Sequence, residues 1–541
     1  MPMMASRRPM FTASWTQTFT YLLGVCPFSI AFLVFINSSI SFVVTDLIGL
    51  HEGEGDAVGT LGFADELLAL AACPLWGVLS DRVGVRQVCT AGYTIIALAL
   101  VLLVQAKNIY PQLLLGRLLF SLGGAAVSTM VTAVLPVVTA NSNIRSIEGS
   151  EPLPRSGGSG ASSSRLAGYV GMCAGCGALI SLGILLPLPA HFQQLGFSPL
   201  QAIQYSYYTA AVVALLVSVS CFIGLRDLPG EDGKAWTSIW MASQPEHLES
   251  QKHSISAMIK ARMPYLYQFV SAMALGFHNR DIFIGYLGGF VARASSVGIS
   301  LFIPLFVNSY YLKSGLCDEQ PSADANPGDI KRSCPKAYVL AAILTGVSQL
   351  IALIAAPAFG YWSEKSRQYH SPLLTACVAG VVGYLVLALL PSPEFYGERG
   401  NPGIFVVMAL VGISQIGAIV CSLSVLSNGI LGLKTPTEED FAALETDSEH
   451  ISGSARDTDE QQPLLATSAS QHQQQTTDLK GSIAGVYSLF GGAGILLLTK
   501  LGGLLFDVLS SSAPFYIMAG FNGALVIVGV VSSLVIIYSR S

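Results

Sequence analysis

The chain has 541 residues, of which 52% are hydrophobic and 11% are charged. Because soluble domains carry about 25% charged residues, this composition excludes an ordinary soluble protein and indicates a protein embedded in a lipid bilayer. The formal net charge of -5 provides no basic surface for nucleic acid, so we expect no nucleic-acid partner.

Twelve long stretches of mostly apolar residues recur along the chain. At a rise of about 1.5 Å per residue, each is long enough to cross the hydrocarbon core of a bilayer. Backbone groups in lipid need internal hydrogen bonds, and the stretches lack the alternation of barrel strands, so all twelve are predicted to be helices. The predicted spans are 22–48, 57–79, 87–106, 111–139, 165–187, 204–225, 282–311, 337–359, 371–391, 403–432, 482–505 and 514–538.

The spans divide into two halves of six helices each. After an N-terminal tail at 1–21, the first half occupies 22–225 and the second occupies 282–541, and a polar linker at 226–281 joins them. Within the linker, residues 263–277 are apolar but too few to span, so we predict an interfacial helix there.

Lysine, arginine and loop composition predict which side of the membrane each segment occupies. Most Lys and Arg residues fall on the side that holds the linker and both termini, so the positive-inside rule makes this side cytoplasmic. The loops at 141–164 and 434–480 lie on the same side, and their Ser, Gly and Gln content predicts disorder.

A charged, glycine-punctuated motif, GVLSDRVGVR, follows the second span. The eighth span ends in a related sequence, and both copies read P-x-x-G-x-x-S-acid-base, from Pro74 and from Pro357. The candidate motif residues are Gly77, Asp81, Arg82, Gly84 and Arg86 in the first copy, and Gly360, Glu364 and Lys365 in the second.

Two further pairs of matches occur in the same helix order. An Asn-Ser pair lies in the first and seventh spans, at Asn37 and Asn308, and spaced glycines follow Ala-Gly in the fifth and eleventh, at Gly168 and Gly485. Three matches in helix order predict a duplication that produced two six-helix halves of parallel topology.

With G-x-x-x-D-R-x-G-x-R between spans two and three, and its copy between spans eight and nine, the chain resembles the major facilitator superfamily of secondary transporters. Arg117, in LLLGRLLFSLGGAA, looks like the intramembrane arginine of that family. The resemblance implies an all-α membrane protein whose twelve helices form two pseudo-symmetric bundles. It also implies a small-molecule substrate moved by alternating access.

The resemblance further implies a role for Asp81. In the family this aspartate faces the start of the eleventh helix, here near Gly481 and Ser482, whose unpaired N–H groups and positive dipole end attract a carboxylate. Such a contact joins the halves on the inner side, favours the outward-open state and breaks for inward opening. The alternative is that the charges of the motif act only as topology signals.

Four charged side chains lie deep inside the predicted spans: Asp65, Glu66, Arg117 and Arg293. Because a central unpaired charge costs about 2.5 to 3.5 kcal/mol, we expect them to line a cavity between the halves. Glu66 is the candidate proton carrier, since Asp65 projects about 100° away around the same helix. Arg293 is a candidate for binding an anionic substrate group. The alternative is a static buried pair that joins the second and fourth spans.

Three uncharged side chains are further candidates for contact with a polar substrate: Asn37, Asn308 and Gln349. Their amides can donate and accept hydrogen bonds. The alternative is that they only bond neighbouring helices, as polar residues in membranes commonly do.

Two cysteines, Cys317 and Cys334, fall in the outer loop after the seventh span. If that side is oxidising they can form a disulfide, and two free thiols are the equal alternative. The tenth loop contains an acidic dileucine pattern formed by Glu460, Leu464 and Leu465, which predicts a sorting adaptor as partner and favours the vacuolar or lysosomal membrane over the plasma membrane.

No enzyme motif occurs in the sequence, which has no G-x-S-x-G, no H-E-x-x-H and no phosphate-binding G-x-x-x-x-G-K. We therefore expect no enzymatic activity, no cofactor and no metal. The predicted function is secondary transport by a monomer, with protons as the candidate coupling ion and symport as the candidate mode. The alternative is a transporter-like solute sensor that signals through its cytoplasmic loops.

Overall fold

The computed structural model describes residues 13–48, 54–139, 158–228, 231, 234, 264–315, 335–366, 370–395, 400–432 and 479–540. Within these ranges it contains helices and no strand. Twelve of the helices are long and apolar enough to cross a membrane. This number confirms the twelve spans predicted from the sequence.

We number these spans α1 to α12 in chain order. They are α1 Trp15–Ile40, α2 Gly59–Val83, α3 Val85–Leu103, α4 Ile109–Thr139, α5 Ser163–Gln194, α6 Leu200–Gly224, α7 Arg280–Lys313, α8 Val339–Lys365, α9 Ser371–Leu389, α10 Ile404–Leu431, α11 Lys480–Val508 and α12 Ala513–Val535.

Several helices begin earlier than the sequence predicts, and the largest differences are at α1 and α5. α1 starts at Trp15 because Ser14 and Gln17 form a capping box, in which each side chain bonds the backbone of the other. The helix that continues into α5 starts at Gly158, inside the loop predicted to be disordered. Ser163 and Ser164 are buried there because their hydroxyls bond serines of α10.

The two halves meet mainly along three pairs of helices. α2 of the first half packs against α11 of the second, and α5 packs against α8 and α10. The linker helix, Pro264–His278, contacts α2 on one side and α7 and α11 on the other, so it touches both halves. Its hydrogen bond to α7 runs from the Tyr286 hydroxyl to the Ala272 carbonyl at 3.1 Å.

Wide π-helical turns interrupt α5 and α11 at equivalent places. They occupy Ser181–Leu185 and Leu498–Gly502. The two segments are separated by the offset that separates Gly168 from Gly485, so the duplication seen in the sequence extends to backbone geometry.

Candidate functional site

Asp81 joins the two halves at one end of the molecule. It lies at the end of α2 and is 5% exposed, and its carboxylate accepts hydrogen bonds from the backbone N–H groups of Gly481 at 2.6 Å and Ser482 at 2.7 Å. The Ser482 hydroxyl donates a third bond at 2.5 Å. These groups form the first turn of α11, so the carboxylate binds where the helix dipole is positive.

Glycines allow α2 and α11 to approach closely enough for this contact. A Cβ atom on Gly77 would lie 2.4 Å from the Gly481 carbonyl oxygen and 2.8 Å from the Gly485 Cα. Both neighbours are backbone atoms, which cannot move aside, so position 77 requires glycine. We call Gly77, Asp81, Gly481, Ser482 and Gly485 the Asp81 junction.

The duplicated motif forms a second junction at the same end, between α8 and α5. The Arg165 guanidinium donates to the Glu364 carboxylate, and the side chains of these two residues are 39% and 18% exposed. A Cβ atom on Gly360 would lie 2.8 Å from the Gly168 Cα and 3.0 Å from the Ser164 carbonyl oxygen. We call Ser164, Arg165, Gly168, Gly360 and Glu364 the Glu364 junction.

The remaining motif residues lie around these junctions. Gly84 ends the turn after α2 with a φ of 100°, a conformation that favours glycine. Arg86 binds the end of α6: its Nε donates to the Phe222 carbonyl at 2.7 Å, and the guanidinium lies 4.2 Å from the centre of the Phe222 ring. Arg82 lies in the last turn of α2, and Lys365 is exposed at the end of α8.

Glu231 and Lys234, in the linker, were missed by the sequence analysis. The Glu231 carboxylate accepts a 2.7 Å hydrogen bond from the Val85 backbone N–H at the start of α3 and a 3.2 Å bond from the Lys234 ammonium. A Cβ atom on Gly84 would lie 2.8 Å from the same carboxylate. The linker is therefore attached to the motif turn beside the Asp81 junction. Only the LPGEDGK turn signal could have indicated this contact.

A second group of candidate residues lies deeper in the spans. Asp65 of α2 and Arg117 of α4 form an ion pair of 2.7 Å, and both are buried. Arg117 also donates to the Asn37 side chain of α1, and the Ser121 hydroxyl donates to the Asp65 carbonyl at 2.8 Å. The structure thus pairs the arginine with Asp65 and not with the adjacent Glu66.

Glu66 and Arg293 lie on opposite halves and form no ion pair with each other. Both are half-buried, and neither forms a hydrogen bond or ion pair with another described residue. The charge of Arg293, on α7, nevertheless acts on Glu66 of α2 and on Tyr487 of α11. The Arg293 side chain packs against Gly491 of α11, and the next residue, Gly492, packs against Leu70 of α2.

The second half contributes a row of uncharged polar groups. The Gln349 amide of α8 donates to Gln415 of α10 at 3.1 Å, and Gln415 donates to the Ser296 hydroxyl of α7 at 3.0 Å. Gln415 and Ser296 were not predicted, because contacts between distant helices leave no spacing signal. Asn308 lies apart, and its buried Oδ1 has no hydrogen-bond partner among the described residues.

At the end opposite the Asp81 junction, one cation contacts an aromatic ring across the halves. The Lys500 ammonium of α11 lies 3.9 Å from the centre of the Phe63 ring of α2. The hydrogen bonds and the ion pair that join described residues of the two halves all lie at the Asp81 end. The conformation is therefore closed at that end by polar contacts.

Other predicted residues lie outside the described ranges. These are Cys317 and Cys334 of the outer loop and Glu460, Leu464 and Leu465 of the sorting pattern. Among the described residues, no group of three or more His, Cys, Asp or Glu side chains is arranged to hold a metal ion. A cavity of about 300 Å³ in the second half contains no predicted site residue; it is lined by Tyr311, Lys336, Val339, Leu340, Ile343, Glu394 and Phe395.

Comparisons with known proteins agree with this architecture. The chain is similar to the proton:xylose symporter XylE, with 11% identity, a TM-score of 0.54, and coverage of 95% of this chain and 94% of that one. It is also similar to the human organic anion transporter MFSD10 (TETRAN), with 12% identity, a TM-score of 0.53 and coverage of 95% and 99%. A third similar structure is the transporter FucP in the outward conformation, with 14% identity, a TM-score of 0.52, and coverage of 96% of this chain and 99% of that one.

At these identities the structural likeness concerns the fold alone. No curated protein sequence matches the chain. The family model of the Major Facilitator Superfamily, however, matches residues 27–435, which is well over half of the chain. The protein is therefore a multi-pass integral membrane protein that belongs to the major facilitator superfamily.

Proposed function

We propose that this protein is a secondary transporter that moves a small solute across a membrane by alternating access. The observation that carries the proposal is the Asp81 junction, in which a buried carboxylate of one half binds the first turn of a helix of the other. Such a contact stabilises one closed end and has to break before that end opens. The described conformation is then the one that opens toward the opposite end.

The Asp81 end is proposed to be cytoplasmic, with both chain termini on the same side. The excess of Lys and Arg in the segments at this end supports this orientation. The acidic dileucine pattern supports an endomembrane location, vacuolar or lysosomal, through a sorting adaptor.

Proton coupling is proposed to act through Glu66. Glu66 is half-buried and has no hydrogen-bond partner among the described residues, so it can change its charge without breaking a contact seen there, whereas Asp65 is held by Arg117. Protonation removes the attraction between Glu66 and Arg293, which lie on opposite halves, and so changes how strongly the halves attract each other.

Alternating access is tested with two pairs of spin labels in the full-length protein. One pair, at the exposed residues Leu75 and Tyr361, spans the halves near the Asp81 end, and the other, at Thr60 and Val339, spans them near the opposite end. We expect one distance to lengthen as the other shortens when pH is changed. A molecule in which the two distances never change in opposite directions would contradict the proposal.

The role of Glu66 is tested with the same labels. Glu66→Gln removes the titratable group while keeping the shape of the side chain, so the pH dependence of the two distances should disappear. Glu394→Gln, which alters a half-buried acid in the loop before α10, is the matched control and should keep that dependence. Unchanged pH dependence in Glu66→Gln would show that another group takes up the proton.

A further inference from the structure

Arg293 is a half-buried arginine of α7 whose guanidinium has no partner among the residues that the structure describes. Among the described residues, the other arginine deep in the spans, Arg117, is neutralised by Asp65 at 2.7 Å, whereas Arg293 forms neither an ion pair nor a hydrogen bond. An unpaired arginine inside a span costs about 2.5 to 3.5 kcal/mol, so such residues usually mark the path of a substrate or ion.

The surroundings of Arg293 place its charge between the halves. Its side chain passes over Gly491 of α11, where a Cβ atom would lie 2.7 Å from the arginine Cγ. Its charge acts on Glu66 of α2 and on Tyr487 of α11. A Cβ atom on the next residue of α11, Gly492, would lie 3.2 Å from the Cδ1 of Leu70 in α2, so the first half packs directly beside this position. A group bound to the guanidinium would therefore lie next to helices of both halves.

Uncharged polar groups continue from Arg293 along the second half. Ser296 lies one helical turn away on the same face of α7. Its hydroxyl accepts a hydrogen bond from the Gln415 side-chain amide, whose oxygen accepts a hydrogen bond from the Gln349 side-chain amide. The exposed Gln349 ends the row. This row suits the hydroxyl or carbonyl groups of a polar solute rather than an apolar one.

We propose that the transported solute is a small organic acid whose carboxylate binds Arg293 and whose polar body bonds the Gln349–Gln415–Ser296 row. The planar guanidinium matches a carboxylate with two parallel hydrogen bonds. A neutral solute would leave this cation unpaired, and a cationic solute would be repelled. The inference rests on the proposed transport function and adds its substrate class.

The four charged side chains deep in the spans, Asp65, Glu66, Arg117 and Arg293, determine the charge balance of the loaded site. Asp65 and Arg117 neutralise each other, so a carboxylate on Arg293 leaves Glu66 as the only uncompensated charge of the group. A proton on Glu66 makes the loaded site neutral. Alternatively, an ammonium group of the same solute neutralises Glu66, as an amino acid would allow.

The test measures ligand-induced thermal stabilisation of the purified full-length protein in nanodiscs, since a bound solute raises the unfolding temperature. The probes are lactate, glutamate and, as the neutral control, glycerol. Lactate or glutamate should raise the unfolding temperature, and glycerol at equal concentration should not. Stabilisation by glutamate alone, lost in Glu66→Gln, identifies the amino-acid class, whereas stabilisation by lactate identifies a carboxylate accompanied by a proton.

Substitutions assign the effect to Arg293. Arg293→Lys keeps the charge but loses the planar fork, so the apparent affinity for the stabilising carboxylate should fall by about 10-fold. Lys500→Gln, which removes another cation of the spans, is the matched control and should leave that affinity unchanged. Arg293→Gln removes the charge and should abolish the stabilisation by carboxylates. If this variant does not fold, Arg293→Lys and the comparison of probes on the unsubstituted protein still test whether Arg293 binds the carboxylate.

Two results would overturn the inference. One is equal stabilisation by glycerol and the carboxylates, and the other is carboxylate stabilisation that persists in Arg293→Gln. If carboxylates fail to bind while the two spin-label distances still change in opposite directions, the substrate class is wrong and the transport proposal stands.

Discussion

The two junctions that close one end of the molecule share a backbone approach but differ in how each carboxylate is held. In both, a glycine one turn before the acid lets the helices touch, through Gly77 in one case and Gly360 in the other. Asp81 is then held by two backbone N–H groups and a hydroxyl, whereas Glu364 is held by the Arg165 side chain. Duplication has kept the glycine contact and changed the donors.

The difference arises at one pair of equivalent positions. Arg165 occupies the position that Ser482 occupies in α11, so a long cation replaces a hydroxyl at the start of the helix. Backbone donors of a buried helix terminus are fixed in place, whereas the Arg165–Glu364 pair is partly exposed and screened by water. We therefore expect the Asp81 junction to contribute more to closure than the Glu364 junction.

The largest expected effect comes from removing the carboxylate charge of Asp81, with the same change at Glu364 as the comparison. Asp81→Asn loses the attraction to the helix terminus and points amide hydrogens at N–H groups, so the closed end should be destabilised by about 3 kcal/mol. Glu364→Gln should cost about 1 kcal/mol because its partner can find water. In each variant, the distance between spin labels at Leu75 and Tyr361 measures the fraction of molecules in which this end is closed. Equal shifts in the two variants would contradict the ranking.

A smaller effect is expected from filling the glycine contacts. Gly77→Ala puts a methyl group 2.4 Å from a carbonyl oxygen, so α2 and α11 must separate at a cost of about 2 kcal/mol. Gly360→Ala, at 2.8 Å from a Cα atom, should cost somewhat less. Gly62→Ala and Gly346→Ala are matched controls on α2 and α8, since a Cβ atom there meets nothing within 4 Å. The same label pair reports the outcome, and a shift in the controls would remove the packing explanation.

Exchanging the charged partners of the Glu364 junction sharpens the comparison further. Arg165→Glu and Glu364→Arg should each destabilise the closed end by about 1 kcal/mol. The double exchange should restore most of the lost stability. No such exchange is available to the Asp81 junction, whose donors are two backbone N–H groups and a serine hydroxyl and include no charged side chain. A double variant as open as the single ones would show that the ion pair does not contribute through its charges.

The smallest effect is expected from Glu231. Glu231→Gln weakens the bond to the first N–H of α3 beside Gly84, which should cost about 0.5 kcal/mol. Thermal unfolding of the purified protein measures this change, with Asp227→Asn, an exposed acid at the end of α6, as control. If both variants unfold at the unsubstituted temperature, the linker contact does not stabilise the motif turn.

Hydropathy and motif spacing predict much of this architecture. Span length and composition are properties of continuous segments, so the twelve helices and the place of Asp81 at the end of α2 follow from the sequence. The contact of Asp81 with Gly481 and Ser482 came from the family resemblance, since no local pattern joins residues four hundred positions apart.

The deeper contacts required coordinates. Asp65 and Glu66 are adjacent acids, and only the rotation and depth of α2 decide that Asp65 meets Arg117. Gln415 is one of two amides in α10, and its bonds to Gln349 and Ser296 depend on how three helices pack. Tertiary packing determines which side chains of different helices meet, and the hydrophobic periodicity of the sequence does not predict these pairs.

The matched π turns in α5 and α11 bear on how the closed end can come apart. A π turn widens the helix and replaces the regular i to i−4 bonding for a few residues, so a helix bends more easily there. Both turns lie in the helices whose first residues hold the two carboxylates. Each of these helices thus has a built-in hinge a few turns from its charged terminus, and the terminus can swing while the remainder keeps its packing.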